Sequence, residues 1–528
     1  MTQLLASLLG LAVLPLYLLA TIAIGWSSRR QVAGSNDFLN SSRSLPLWIV
    51  AAAFLSSNCG ALEIVGLSAV AAQYGVQALH FYWIGAIPGM VFLGGVMIPI
   101  YMRSGVKSLP EYLEKRFDAR VRLLNSWLIL STVTALSGVG LYAMAQVLHV
   151  VFNWPFSGSA TLAAGIVLIY LLLGGIRATI YNEVFQLLII VLGLLPLALH
   201  IGMPSRSAAT GLDSHWHLWT GLQPFSPHAN LDAFGVIVGL GFVLGFNYWC
   251  TDFVQIQRAL TARTISAGRM VPLLAGFGKL GFSLLVVVPA LGAAAFLGHR
   301  MPASFDQTLP TLMSVSYGPA LLGLGLTALL ASLMSGLAAN VAAFSAIWTE
   351  EIYRKSVRPT ETERHYIRMG RAAIVVGIAL SIATSYLSFY FRDLMEYVQM
   401  IFSLFGAPFF AIFLIGIFTR RATASGALAG LLSGVAAAIA LHGLAGSGQV
   451  PFGSQMSVNF YSAVCAFLAS LLVGLIFSRR SERRNETQLA NLVYSSSQGD
   501  QLPRPSAAWW ILAFLLIFTC AALNYFWR

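Results

Sequence analysis

Charge is what this sequence has least of. Only 9% of its 528 residues are Asp, Glu, Lys or Arg, against 57% hydrophobic, and so little polar surface cannot cover a soluble globule of this length in water. Cysteine is nearly absent as well. Cys59, Cys250, Cys465 and Cys520 lie in or at the ends of apolar runs without CxxC spacing, which excludes a disulfide framework and a cysteine zinc site. The chain has no HExxH, and around residues 56–63 and 245–252 it has no acid pair on a common face and no Ser/His/Asp set. Its histidines His80, His149, His200 and His442 are scattered one per span or span end, so no enzyme is expected. No basic segment precedes the first apolar run, Leu4 to Trp26, and Arg29 and Arg30 follow it. That polarity is wrong for a cleaved signal peptide, and the run is expected to stay as the first helix.

What fills the chain instead is fourteen apolar stretches, near 4–26, 46–71, 79–101, 124–152, 159–175, 181–202, 233–254, 271–298, 317–349, 371–389, 393–418, 425–444, 457–478 and 507–527. Alternating sides along them places 26 basic residues in one set of loops and 4, Arg206, Arg300, Arg392 and Arg528, in the other; of the 31, Lys279 alone falls inside a span. Such asymmetry marks the cytoplasmic side. The expectation is an all-α polytopic membrane protein of fourteen transmembrane helices in the cell (inner) membrane, both termini outside. The net charge of +12 is dispersed over short loops, which argues against nucleic acid and for contact with anionic inner-leaflet lipid. Residues 203–232 form the longest outer loop, with His215, Trp216, His217 and Trp219. Residues 479–506 form a charged, Ser- and Gln-rich linker before the last helix.

Two spans carry helix-breaking sequence. The second contains Ser56, Ser57, Asn58, Cys59 and Gly60, with Glu63 just beyond; the seventh carries Gly235, Gly239, Gly241 and Gly245, then Asn247, Tyr248, Trp249, Cys250, Thr251 and Asp252. Counting from the second to the seventh span puts a broken helix first in each of two successive five-helix units, the pattern of an inverted-repeat transporter with its site at the breaks. Unwound backbone at that depth is tolerated only where it lines a cavity or binds something. The units are expected at 46–202 and 233–418. An extra helix and inner loop (1–45) precede them, and two helices (419–478) and a last one (507–528) follow.

Lys279 in AGFGKLGFSLLVVV costs on the order of 3 kcal/mol unless solvated or paired. It is either a functional cation or one that snorkels to the inner surface. Glu63 is either its structural partner or a substrate or proton group. Asp252 and Arg258 read as a cytoplasmic ion network, and Glu183 with Gln186 as a cap or gate. Glu396 and Gln399 lie one turn apart, Gln399 deep enough to bind a polar solute. Phe81, Tyr82 and Trp83, with Tyr248 and Trp249, are either packing or rings for a sugar face.

These residues resemble the solute:sodium symporter family, and within it the sodium/glucose cotransporter branch. The resemblance rests on FLNSSRSLPLW, SSNCGALEIVGLS, IPIYMRSGVKSLPEYLEKRF, GGIRATIYNEVFQ, NYWCTDFVQIQRALTAR with Lys279, TEEIY, and YVQ followed by GAP and IFTRRATASGALAG. It implies the leucine-transporter fold, a five-plus-five inverted-repeat core with two discontinuous helices, and import of a sugar or similar polyol with sodium. Solute contacts are then expected at Glu63, Tyr82, Lys279 and Gln399, with Asn247 near the second break. Leu67 and Phe81 close the outer side, and Tyr248 is the inner gate. Sodium is expected between the Ser56 and Cys59 carbonyls, the Ser332 carbonyl and the Ser335 hydroxyl, with the Ser332 hydroxyl as an alternative ligand. The family pattern is broken at Glu63, usually Gln or His, at Tyr82 in place of an acid, at Gly85 in place of a small polar residue, and at Gly245 in place of an occasional Asn. It is also broken at Gly336, which lacks a hydroxyl ligand. Sodium-independent transport, uncoupled or proton-coupled, and a non-transporting solute sensor are the alternatives. Oligomeric state is not legible.

Overall fold

The computed structural model describes residues 2–28, 45–106, 108–202, 216–219, 221, 231–298, 301–480, 489, 491–494 and 504–527. Among them are helices, turns and one isolated bridge, Leu45 to Ala262, and no strand. The 203–232 loop and the 479–506 linker lie largely outside these residues, as do Arg29, Arg30, Arg43, Lys107, Arg206, His215, Arg300 and Arg528.

The helices that position the site are α1 (Thr2–Ser28), α2 (Leu47–Asn58), α3 (Leu67–Tyr74), α4 (Leu79–Trp83), α5 (Ala119–Phe152), α6 (Phe156–Ile201), α7 (Phe246–Thr251) and α8 (Phe253–Ala259). They continue as α9 (Ile265–Leu297), α10 (Pro319–Ala346), α11 (Glu363–Ser385), α12 (Leu394–Ile401) and α13 (Ala407–Phe418), with α14 (Ala424–Gly446), α15 (Gln455–Arg479) and α16 (Ala507–Phe526) closing the chain. Among the described residues ten helices are long and apolar enough to cross a membrane, eleven if the bent pair Gly235–Thr251 and Phe253–Ala259 is one span; Ala12–Ser27, Leu47–Asn58 and Phe156–Ile169 are shorter apolar helices. The chain is a multi-pass helical membrane protein.

Starts are set by side-chain caps. Asp118, Thr362, Asp393, Thr423, Ser454 and Ser506 each accept a backbone N–H from the first turn of the helix they precede, groups that would otherwise lack partners. The C-terminal end of α13 is held by a buried arginine: Arg116 donates to the carbonyls of Gly416 at 2.7 Å, Thr419 at 2.6 Å and Ala422 at 3.1 Å. A guanidinium there satisfies orphan carbonyls and complements the negative helix end. So one cation that reads as a topological marker is also a cap.

One boundary differs from expectation. The stretches 159–175 and 181–202, separated in the sequence reading around Arg177, belong to one helical element, α6; the connecting Gly174–Thr179 segment contains no proline to stop a helix.

Where spans cross most closely, glycine allows it. A Cβ on Gly245 would stand 2.2 Å from the Gly85 carbonyl oxygen, so these two backbones touch. A Cβ on Gly60 would meet the Gly336 Cα at 3.3 Å, which seats the first broken helix directly on α10.

Candidate functional site

The first break follows from poor helix formers. α2 ends at Asn58, and Cys59 leaves helical geometry at φ −79°, ψ 48° with its N–H turned back to the Leu55 and Ser56 carbonyls. The chain resumes as a π-helical turn, Leu62–Gly66. At the second, Asp252 is extended between α7 and α8, and its carboxylate caps α8 by accepting the Gln255 N–H at 3.0 Å; the pair is bent by 53°. Two further π-helical stretches, Gly235–Gly245 and Phe402–Gly406, lead into the same region. π-turns widen a helix and leave groups free of the regular ladder, and they concentrate at functional sites.

These pieces enclose a cavity whose polar lining is Asn58, Glu63, Tyr248 and Gln399, with Leu67, Phe81, Trp249 and Phe402 among its apolar walls. Glu63 is 14% exposed and pairs with Lys279, which is 1% exposed. The ammonium also lies over the rings of Tyr82 at 5.1 Å and Trp249 at 5.6 Å, an arrangement that partly replaces its hydration. Tyr82 donates to the Glu63 carbonyl at 3.4 Å. Lys279 and Tyr82 thus stand behind Glu63 and do not line the cavity. Three acceptors in its wall, Asn58 Oδ1, Glu63 Oε2 and Gln399 Oε1, have no partner among the described residues. Buried acceptors of that kind carry a cost until a donor reaches them. A ligand rich in hydroxyl donors meets that need.

Tyr248 closes the cavity on one side. It accepts from Asn58 Nδ2 and from Gln255 Nε2 at 3.3 Å, and its ring lies 5.5 Å from that of Phe402. The same tyrosine lines two neighbouring cavities, one with Asp252 and Phe405, one with Gly336 and Asn340. It is a partition between these compartments. Leu67 and Phe81 stand in the wall, and Phe81 packs at 6.0 Å on Phe460.

Asn247 is not in this cavity. It lines the neighbouring one, where its Oδ1 accepts from Thr251 at 2.8 Å and its amide fills the space a side chain on Gly406 would need. Helical phase explains this: Tyr248 and Gly245 face the first cavity, and Asn247 lies about 100° away from Tyr248. Asn58 takes a place that sequence reasoning left unassigned, and Trp249 is one of the expected rings that does stand in the wall. The signal for Asn58 lay in its position between Ser57 and Cys59 at the break.

Ser56, Cys59, Ser332 and Ser335 do come together. Ser332 donates to the Cys59 carbonyl at 2.5 Å and Ser335 to the Ser56 carbonyl at 3.3 Å, all fully buried. Two carbonyls and two hydroxyls converge, a donor set of neutral oxygens suited to a hard monovalent cation. Gly336 adds no oxygen and faces Gly60.

The expected Asp252–Arg258 network takes another form. Arg258 forms a fully buried pair with Glu183 at 2.7 Å, joining α6 to α8, and Asp252 serves as the cap. Glu183 is therefore an ion-pair partner rather than a helix cap.

A family model described as sodium:solute symporter family matches residues 38–434. Among curated proteins the chain is 26% identical to a sodium/glucose cotransporter of Vibrio parahaemolyticus, over 87% of this chain and 90% of that one. It is 29% identical to sodium/glucose cotransporter 1 of Ovis aries, over 80% and 70%, and 29% identical to a sodium/mannose cotransporter of Bos taurus, over 81% and 78%. Among solved structures a Na+-coupled sialic acid symporter in a substrate-bound outward-open state superposes with TM-score 0.75 at 17% identity, over 90% of this chain and 98% of that one. At that identity the likeness is one of fold.

Proposed function

The chain belongs to the sodium:solute symporter family, and from that premise we propose that it imports a neutral sugar or similar polyol together with sodium by alternating access. The observation that carries this reading is the cavity between the two helix bends, whose free acceptors on Asn58, Glu63 and Gln399 await hydroxyl donors beside aromatic walls. Glu63, Gln399 and Asn58 contact the solute. Lys279 and Tyr82 hold Glu63 in place, Leu67 and Phe81 close the outer side, and Tyr248 is the inner gate. Sodium is co-substrate, held by the Ser56 and Cys59 carbonyls and the hydroxyls of Ser332 and Ser335. Holding the cation between α2 and α10 ties the first broken helix to the scaffold, so that its binding favours one arrangement of the cavity.

The fourteen passes of this reading take two from α6, whose 46 residues exceed the roughly 20 that one pass needs, and bends at Cys59–Gly60 and Asp252 support two five-helix units, 46–202 and 233–418. The arginine-rich loops support a cytoplasmic location for the ends carrying Arg116, Arg122 and Arg258, in the cell membrane with both termini outside. A second reading, transport without sodium, is favoured by Gly336, where the donor set lacks an oxygen. Counterflow in proteoliposomes preloaded with unlabelled glucose, galactose or mannose tests the transport claim: labelled hexose accumulates transiently with at least one of them. Binding of a hexose without counterflow assigns a sensor instead and overturns it.

A further inference from the structure

The outer and inner halves of the contact between α5 and α11 are built differently. Near one end the helices touch: Thr384 donates to the Thr134 carbonyl at 3.1 Å, and a Cβ on Gly138 would fall 2.4 Å from the Thr384 hydroxyl. Toward the arginine-rich end they part, leaving an apolar crevice of about 660 Å³ floored by Phe344 and flanked by Trp127, Trp348 and Val376. Its walls belong to membrane-spanning segments, so it opens to the hydrocarbon of the bilayer. Trp127 and Trp348 meet edge to face at 6.1 Å.

The mouth of the crevice carries charge. Arg364, Arg368 and Arg371 recur at i, i+4 and i+7 on the first turns of α11, all exposed, and Arg368 lies one turn from Ala372, a crevice residue. The nearby acids are engaged elsewhere: Glu363 pairs with Arg354 at 3.0 Å and Glu361 with Arg358 at 3.5 Å. An apolar slot under a cationic stripe, at the depth where headgroups begin, is complementary to one kind of molecule.

We propose that an anionic glycerophospholipid of the arginine-side leaflet binds here, its phosphate on Arg364 and Arg368 and one acyl chain in the crevice between α5 and α11. Tyr397 reaches the same crevice from α12, the helix that carries Gln399, so the lipid abuts an element of the solute site. The binding claim stands independently of the transport reading.

Native mass spectrometry of the purified full chain, supplied with phosphatidylglycerol or phosphatidylcholine of identical acyl chains, tests it. Phosphatidylglycerol should be retained roughly tenfold or more over phosphatidylcholine. The R364Q/R368Q pair should abolish that preference, while Arg421→Gln, an exposed cation on the same side, leaves it within about twofold. Phosphatidylglycerol brominated mid-chain should quench tryptophan emission less in Trp127→Phe, and less in Val376→Phe, which fills the slot without adding a tryptophan. Equal retention of the two lipids, an unchanged preference in R364Q/R368Q, an equal loss in Arg421→Gln, or quenching that Trp127→Phe and Val376→Phe leave unaltered would each overturn the proposal.

Discussion

Lys279 is buried to 1% exposure and is held by Glu63 and two aromatic rings. Removing one partner of such a pair leaves the other uncompensated, at a cost of about 3–5 kcal/mol. Lys279→Gln is therefore expected to lower the thermal unfolding temperature in detergent and abolish uptake, and adding Glu63→Gln to restore most of the stability without restoring uptake. If the double variant is no more stable than the single, the pair is not what holds this wall. Outside the spans, Asp306 offers a pH-dependent test. Burial first, and then the neighbouring Asp393 carboxylate, push it up to about 8 from an ordinary 3.8. The folded state then keeps a proton that the unfolded state releases, so Asp306's contribution is full below about pH 4 and is lost as pH rises toward 8 and beyond. Asp306→Asn keeps the acceptor for the Leu394 N–H, and should stabilise the protein at pH 9 while changing little at pH 5. A gain of equal size at both pH values contradicts the assignment.

At the scale of elements, the breaks and close crossings make the site. Gly245 and Gly85 put two spans in backbone contact, and Gly245→Ala forces them apart. A cost of about 1–3 kcal/mol is expected, with uptake lost before folding, seen as retained monodispersity without counterflow. Gly336→Ser places a hydroxyl where the donor set lacks one, at the expense of moving Gly60, which a Cβ would meet at 3.3 Å. The sodium concentration for half-maximal uptake should fall several-fold, while Gly336→Ala, with the same Cβ and no oxygen, should raise it. Equal shifts in the two variants would show that packing and not ligation governs this position. The first break was legible because Ser-Ser-Asn-Cys-Gly disfavours helix inside apolar sequence; the Gly-rich run of the seventh span stays helical as a π stretch, and the second bend falls beyond it at Asp252. The facing of Asn247 was not legible. It depends on helical phase through the π-helical stretch Gly235–Gly245, a register that spacing alone does not reveal. The pairing of Arg258 with Glu183 was equally hidden, since it joins helices 75 residues apart.

For the whole molecule, the scarcity of charge and its one-sided placement were enough to predict a multi-pass helical membrane protein, and Lys279, the basic residue that broke the pattern, led to the solute cavity. Alternation of loops does not predict that Arg116 caps α13 or that α6 runs on through Arg177, because those depend on tertiary partners and on the absence of a helix stop. The central claim is that movement of solute across the membrane is driven by sodium. Uptake of labelled hexose into proteoliposomes, under an inward sodium gradient and under an equal choline gradient, measures it most directly. Accumulation above equilibrium with sodium, absent with choline and collapsed by a sodium ionophore, is the predicted result; equal uptake in the two cations would contradict it.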